Sequence, residues 1–293
     1  PLNQVKTLYD NLGGDKENEK PKDKEHKTKE NEEKKKQQKA QQSAKKQQAP
    51  KEKAKEKPKP VEKPAVTVEK VNELLEADKT RFPDAPLIWL KDLVAFVNGI
   101  LPAEKSDPMF QTKPENYPLS LITKNVRTIF EKVIKSAGPQ NIQLFYEGTL
   151  LLMVKNMSND APDLGCKIFL QLLGQMYPEM TVLNIEKHVS LRNSYQNKKP
   201  IGLSLLWVLS QGGKKDLGVA LTLFHEVMAP MLETRTYAGH VMKILKKSLT
   251  VNKNVNTITQ GLFIDVVDDL NSGRINISST VEKEIAECGE LLT

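Results

Sequence analysis

His225-Glu226 opens the pattern by which a helix binds zinc: two histidines one turn apart share a face, and a glutamate between them serves as base. The second histidine would stand at position 229, where the chain has Ala229. One imidazole cannot hold the ion, so the pattern fails. Cys166 follows Gly165 on an apolar helical stretch, and apolar surroundings raise a thiol's pKa and deplete the reactive thiolate; it reads as buried and inert. Asp265, Asp268, Asp269 and Asn271 have the composition of a calcium loop without its spacing or its closing glutamate, and read as the solvated side and last turn of a helix. Gly212-Gly213-Lys214-Lys215 lacks the flanks of a phosphate loop and reads as a helix stop. Asn156-Met157-Ser158 and Asn276-Ile277-Ser278 fit the glycosylation triplet, which arises often by chance and has no meaning in a cytosolic domain. The sequence therefore assigns no catalytic, cofactor-binding or metal-binding residue, calls for no cofactor or small-molecule substrate, and leaves the partner-binding residues unknown. The chain reads as a non-enzyme.

The net charge of +7 over 293 residues raises a nucleic-acid reading, but its location matters more than its size. Residues 15–63 hold 18 lysines against 11 carboxylates, and the rest of the chain has 26 basic residues facing 26 acidic ones. The basic pI thus reports a tail and not a basic groove. That charged segment, coiled-coil-like in composition, contains no aromatic residue, and Val61 is its one branched aliphatic. With so little apolar area to offset ordering, it is expected to stay disordered apart from transient helix in its Lys/Gln/Ala centre. It reads as a solvated spacer, or as a weak electrostatic contact with RNA, an anionic membrane or a cytoskeletal filament. Two cysteines, Cys166 and Cys288, make no disulfide framework and suit a reducing compartment. No apolar run approaches the roughly 20 residues that span a bilayer, and no signal peptide is visible. Beginning at Pro1 and ending at Thr293, the sequence reads as a fragment.

Beyond residue 64 the apolar positions recur at helical spacing. With Pro86 in the first turn, a helix can run from Leu87 to about Ile100. Trp89, Leu90, Leu93, Val94, Phe96, Val97, Ile100 and Leu101 then share one half of the wheel, and Lys91, Asp92, Ala95, Asn98 and Gly99 fill the other. Trp89 is expected in a core, with membrane contact or partner docking through Trp89 as the alternatives. Further stripes begin at Leu119, Ile142, Pro162, Val182, Ile201, Leu217, Tyr237, Ile258 and Val281. Asp216 is expected to cap the helix from Leu217 to Met228, and Ser279 or Thr280 the last helix. No alternating strand pattern is found. Helix pairs beginning near 119, 162, 200 and 235 predict an all-α fold, by their spacing alone an irregular HEAT/armadillo-like helical-repeat solenoid, with an irregular helical bundle as the alternative. The expected organisation is a disordered lysine/glutamate-rich tail over residues 1–64 and an all-helical domain of about ten to twelve helices over 65–293.

The stretch Pro86 to Leu93, PLIWLKDL, then Tyr117 to Leu121, YPLSL, and an Arg127-containing helix resemble the cytosolic part of the transmembrane protein 214 family. Thr7-Leu8-Tyr9 before the lysine-rich segment and the patch Leu206-Trp207-Val208-Leu209 are similar as well. The resemblance implies an endoplasmic-reticulum membrane protein whose long N-terminal region faces the cytosol and whose spanning helices lie near its C-terminus, outside this sequence. The fragment alone would be cytosolic. It further implies a role in stress-induced apoptosis, with a procaspase held at the membrane as protein partner. The family offers no catalytic residues to carry over. Two functions follow as expectations: a non-enzymatic helical scaffold recruiting a partner protein or, alternatively, an adaptor binding RNA, ribosomes or the cytoskeleton through the tail.

Overall fold

The computed structural model describes residues 65–252, 258–271 and 279–292. The chain divides into two units between Pro58 and Lys59, and the described residues all belong to the second. The expected disordered tail over residues 1–64 and the triplet Asn276-Ile277-Ser278 lie outside the described residues.

The described residues are all-helical, without strand. Helix α1 (Val68–Arg81) and α2 (Pro86–Ile100) are followed by a connection over residues 101–123, then α3 (Lys124–Ala137), α4 (Pro139–Ser158), α5 (Leu164–Met176), α6 (Ile185–Tyr195), α7 (Lys199–Leu209), α8 (Leu217–Leu223), α9 (Arg235–Val251), α10 (Gln260–Asn271) and α11 (Ser279–Leu292). Local chemistry sets most of the boundaries. Thr67, Thr123 and Asp216 accept first-turn amides of α1, α3 and α8 through their side chains, which satisfies donors that a helix start leaves unpaired. Pro86 and Pro139 occupy first positions where a missing N–H is harmless. Gly138 ends α3 at a φ of 79°, a conformation that residues with a Cβ rarely adopt.

Two helices, α5 and α7, are buried on all sides: every residue from Leu164 to Gly174 and from Ile201 to Leu209 lies inside. A helix apolar all round must be surrounded by others. Accordingly α2 packs on α5, α5 on α7, α7 on α9 and α9 on α11, while α1, α4, α6, α8 and α10 pack beside α2, α5, α7, α9 and α11 respectively. Sequence neighbours are thus mostly neighbours in space.

The expected elements differ from the structure at four points. The stripe starting at Leu119 is not the start of a helix: Leu119–Leu121 form a short 3-10 turn, and the helix begins at Lys124 behind its Thr123 cap. No helix is expected over Val68–Arg81, yet α1 forms there, with Val68, Val71, Leu74 and Leu75 as a short apolar stripe behind the Thr67 cap and Val71 and Leu75 buried. Helix α11 already includes Ser279, so neither Ser279 nor Thr280 stands before it. Trp89 is not a core residue. It is half-buried against the core, its Nε1 donating to the Phe82 carbonyl at 2.9 Å, because an indole N–H needs a partner and finds one at the edge.

Candidate functional site

Asn98, placed by periodicity on the polar side of α2, is buried. Its Oδ1 accepts the Gly165 amide at 2.7 Å, and its Nδ2 donates to Cys166 Sγ at 3.4 Å. One side chain thus satisfies a first-turn donor of α5 from a neighbouring helix. Burial pushes the Cys166 thiol up to about 11, and the Cys288 thiol also to about 11; neither is poised to act as a nucleophile. His225 and Asp269, which belong to separate motifs in the sequence, are brought together: Nδ1 and Oδ2 lie 2.7 Å apart between α10 and the π-helical turn Phe224–Met228 that extends α8. Hydrogen bonding to Asp269 raises the His225 pKa, with Asp265 and Glu226 adding to the effect. Asn271 binds the Val267 carbonyl, ending α10. Asn156 binds the Pro162 carbonyl at 2.7 Å and closes α4. Gly212 and Gly213 are not the expected helix stop: α7 ends at Leu209 with Ser210 as its cap, and Gly212–Lys214 form a short 3-10 turn whose glycines serve close packing, since a Cβ on Gly213 would sit 2.7 Å from Ala220 Cβ. Among the described residues no group of three or more His, Cys, Asp or Glu side chains could hold a metal ion.

Clefts open elsewhere, along the 101–123 connection. This segment crosses the buried helices α5 and α7 and one face of α9. Leu119 N donates to Gln171 of α5 at 3.0 Å, Ser204 of α7 donates to the Pro108 carbonyl at 3.0 Å, and Gln111 lies 3.0 Å from His240 of α9. Its anchor is Phe110, inserted edge-on between Tyr117 and Trp207 at centroid distances of 4.9 and 4.8 Å. Beneath it lies the fully buried Lys167–Asp163 ion pair at 2.7 Å, the Lys167 ammonium 5.3 Å from the Phe110 ring centre. The ring shields a charge pair that neither partner could sustain alone in a dry interior. Phe110 has a φ of 56° and Asn116 of 65°. A left-handed aromatic costs on the order of 1–3 kcal/mol and persists only where packing over-determines it.

Between this connection and α9 lies a cleft of about 510 Å³ whose walls include Phe110, Tyr117, Trp207 and Ile244 together with Lys113, Lys214, Lys243 and Lys247. Among the described residues Glu115 is the one carboxylate on these walls; it reaches Lys247 at a long 3.9 Å, with both side chains more than half exposed. A second cleft of about 320 Å³ flanks the same connection and is lined by Lys105, Lys199, His240 and Asp107 among others. His240, Lys243 and Lys247 follow one another at helical spacing on α9, so one face of that helix serves both clefts. The electrostatics agree with this placement. Burial, reinforced by the neighbouring Lys247, lowers the Lys214 pKa to about 8. Burial and the nearby Lys199 and Lys243 lower that of His240. Lys113, by contrast, is held by Glu104 at 2.8 Å, which drops the Glu104 carboxyl to about 2. In sequence Lys243 and Lys247 look like the polar side of an ordinary amphipathic α9, and their spacing is the available signal. No spacing can show which residues of the long connection face α9.

The family model described as "TMEM214, C-terminal, caspase 4 activator" matches residues 1–293. Curated relatives named transmembrane protein 214 are similar over 194 residues, at 26% identity in mouse and 27% in human, and a transmembrane protein 214-A of Xenopus laevis is 25% identical over 193 residues. These matches cover 65% of the chain but 28% of each relative's length. No solved structure matches the chain.

Proposed function

The chain belongs to the transmembrane protein 214 family, and on that premise we propose that it is a non-enzymatic helical scaffold that recruits a caspase precursor to the cytosolic face of the endoplasmic reticulum in stress-induced apoptosis. The observation that supports this most is the pairing of a family description that names caspase 4 activation with a folded unit whose described thiols are depleted of thiolate and whose clefts are built for contact. On this reading the chain-order stacking of α2, α5, α7, α9 and α11 acts as an irregular solenoid, an architecture suited to presenting an extended binding surface. The relatives are named as transmembrane proteins. Among the described residues no helix is long and apolar enough to cross a membrane, so this reading places attachment outside them.

The test is binding of purified caspase-4 precursor to residues 1–293, to 65–293 and to 1–64. The scaffold reading expects 65–293 to retain the affinity of the full chain within about two-fold, a difference well under 1 kcal/mol. Binding found in 1–64 and absent from 65–293 would replace it with a tail-based adaptor.

A further inference from the structure

We infer that the cleft between the 101–123 connection and α9 is the docking site for an acidic peptide segment carrying an apolar side chain, supplied by the recruited partner. This deepens the scaffold reading and rests on it.

The choice of occupant follows from the walls. Among the described residues Lys214 and Lys243 have no carboxylate partner within ion-pair distance, and Lys247 has only the long contact to Glu115. Lys214, Lys243 and Lys247 share one opening, and at Lys214 burial first and the Lys247 charge second lower the pKa, with Glu115 opposing. An incoming carboxylate offsets these charges. Glu115 already shows where such a group stands: an acidic side chain on the connection, facing α9 from across the cleft. Between the charges the lining is mixed: Gln111, Asn116 and Ser248 are polar, while Tyr117 and Ile244, both partly exposed, offer apolar surface to a side chain beside the carboxylate. A cleft of about 510 Å³ lies within the usual range for bound ligands, about 300–1,000 Å³.

Other anionic partners fit less well. Single-stranded nucleic acid binds by stacking bases on open aromatic faces, but Phe110 and Trp207 are 6% and 7% exposed and are spent on each other. Duplex recognition needs an extended basic face, whereas outside residues 15–63 the charges of this chain cancel. A lipid headgroup brings its anion on the plane of a bilayer, and the lysines here sit over a recess beneath a chain crossing.

The experiment titrates a fluorescein-labelled peptide of alternating aspartate and glutamate around a single leucine into the full 293-residue chain, read by polarisation. A peptide with asparagine and glutamine in place of the acids is the control. Lys243→Glu/Lys247→Glu is expected to weaken binding at least about ten-fold, and Lys243→Arg/Lys247→Arg to retain most of it. Replacing Lys34, Lys35 and Lys36 with glutamine should change it less than about two-fold, because those charges belong to the separate lysine-rich segment. Equal affinity for the amide peptide, indifference to the α9 charge reversal, or loss on the Lys34–Lys36 replacement would each overturn the assignment. So would phosphatidylserine vesicles or polyuridine binding with the same dependence on Lys243 and Lys247 while the peptide does not bind. Caspase-4 precursor is titrated in parallel. If the precursor binds and the peptide does not, the cleft assignment fails and the scaffold reading stands; the reverse pattern sinks the caspase reading and leaves the cleft.

Discussion

Where α2 crosses α5, a Cβ added to Gly165 would lie 2.7 Å from the Val94 carbonyl oxygen and 2.9 Å from the Asn98 amide nitrogen. Where the 101–123 connection crosses α9, a cleft of about 510 Å³ stays open, and two of its lysines have no anionic partner among the described residues. Both are contacts between distant parts of the chain, and both use polar side chains. They differ in what is left over. At the α2–α5 joint the Asn98 amide is engaged at both ends, by the Gly165 amide and by Cys166, and the backbones approach too closely for a further carbon, which is how an interior specifies one arrangement. At the α9 crossing, charge and space are left unmatched, and unmatched charge beside an apolar wall is the mark of a surface that awaits something else. On the proposed reading the joint fixes the fold and the crossing meets the partner.

The comparison breaks most readily at the joint. Gly165→Val puts carbon atoms against backbone that cannot move aside, and overpacking of this kind should cost about 3 kcal/mol. Thermal unfolding should fall by roughly 10 °C for a domain of this size. An unchanged midpoint would mean that α2 and α5 are not held as described.

A second buried group sharpens the contrast through pH. His188 on α6 is 2% exposed, packed against Tyr146. Burial lowers its pKa to about 4, against smaller opposing effects of the Thr181 backbone and Glu147. The folded state therefore resists a proton that the unfolded chain accepts near 6.5. Stability is fully present above about pH 6.5 and is lost as pH falls toward 4, by about 3 kcal/mol at most. His188→Asn should flatten that part of a pH-dependent urea melt. His225 has the opposite sign: raised by Asp269, it contributes below its unfolded pKa, and that contribution is lost as pH rises through the folded value. The two are separable by the single variants.

Smaller again is Trp89→Ala. Since the ring is half-buried with one hydrogen bond to Phe82, the loss should be about 2 kcal/mol, below the roughly 3–5 typical of a fully buried tryptophan. Trp89→Phe isolates the hydrogen bond and should cost about 1 kcal/mol in the same melt. At the bottom of the order, Lys247→Ala should leave stability within about 0.5 kcal/mol, because its contact with Glu115 is long and exposed to screening.

The same division explains what is legible in the sequence. The stripe Leu90, Leu93, Val94, Val97 is a periodic signal, and α2 runs as that signal implies, from Pro86 to Ile100. Asp216 caps α8 as its side-chain chemistry suggests, and Gly138-Pro139 separates α3 from α4. Each of these is decided by residues within a turn or two. Asn98 defies its place on the wheel because its partner Gly165 is 67 residues away, and nothing local makes an asparagine on an apolar edge an internal cap. Leu119 has helical spacing yet lies in a turn, because apolar spacing does not register that the chain doubles back on Gln171 to cover Phe110. The cleft is hidden for the same reason: its walls come from three stretches far apart in the chain, the 101–123 connection, the end of α7 with the turn after it, and α9.

The most direct measurement takes the Lys243→Glu/Lys247→Glu variant of the full chain and determines on one sample both its melting temperature and its affinity for caspase-4 precursor. If the crossing serves binding and the joints serve the fold, melting stays within about 2 °C of the unaltered chain, and affinity falls at least about ten-fold. A melting point that drops by about 10 °C while affinity at a temperature below it is unchanged would contradict the account, since the lysines of α9 would then be part of what holds the helices together.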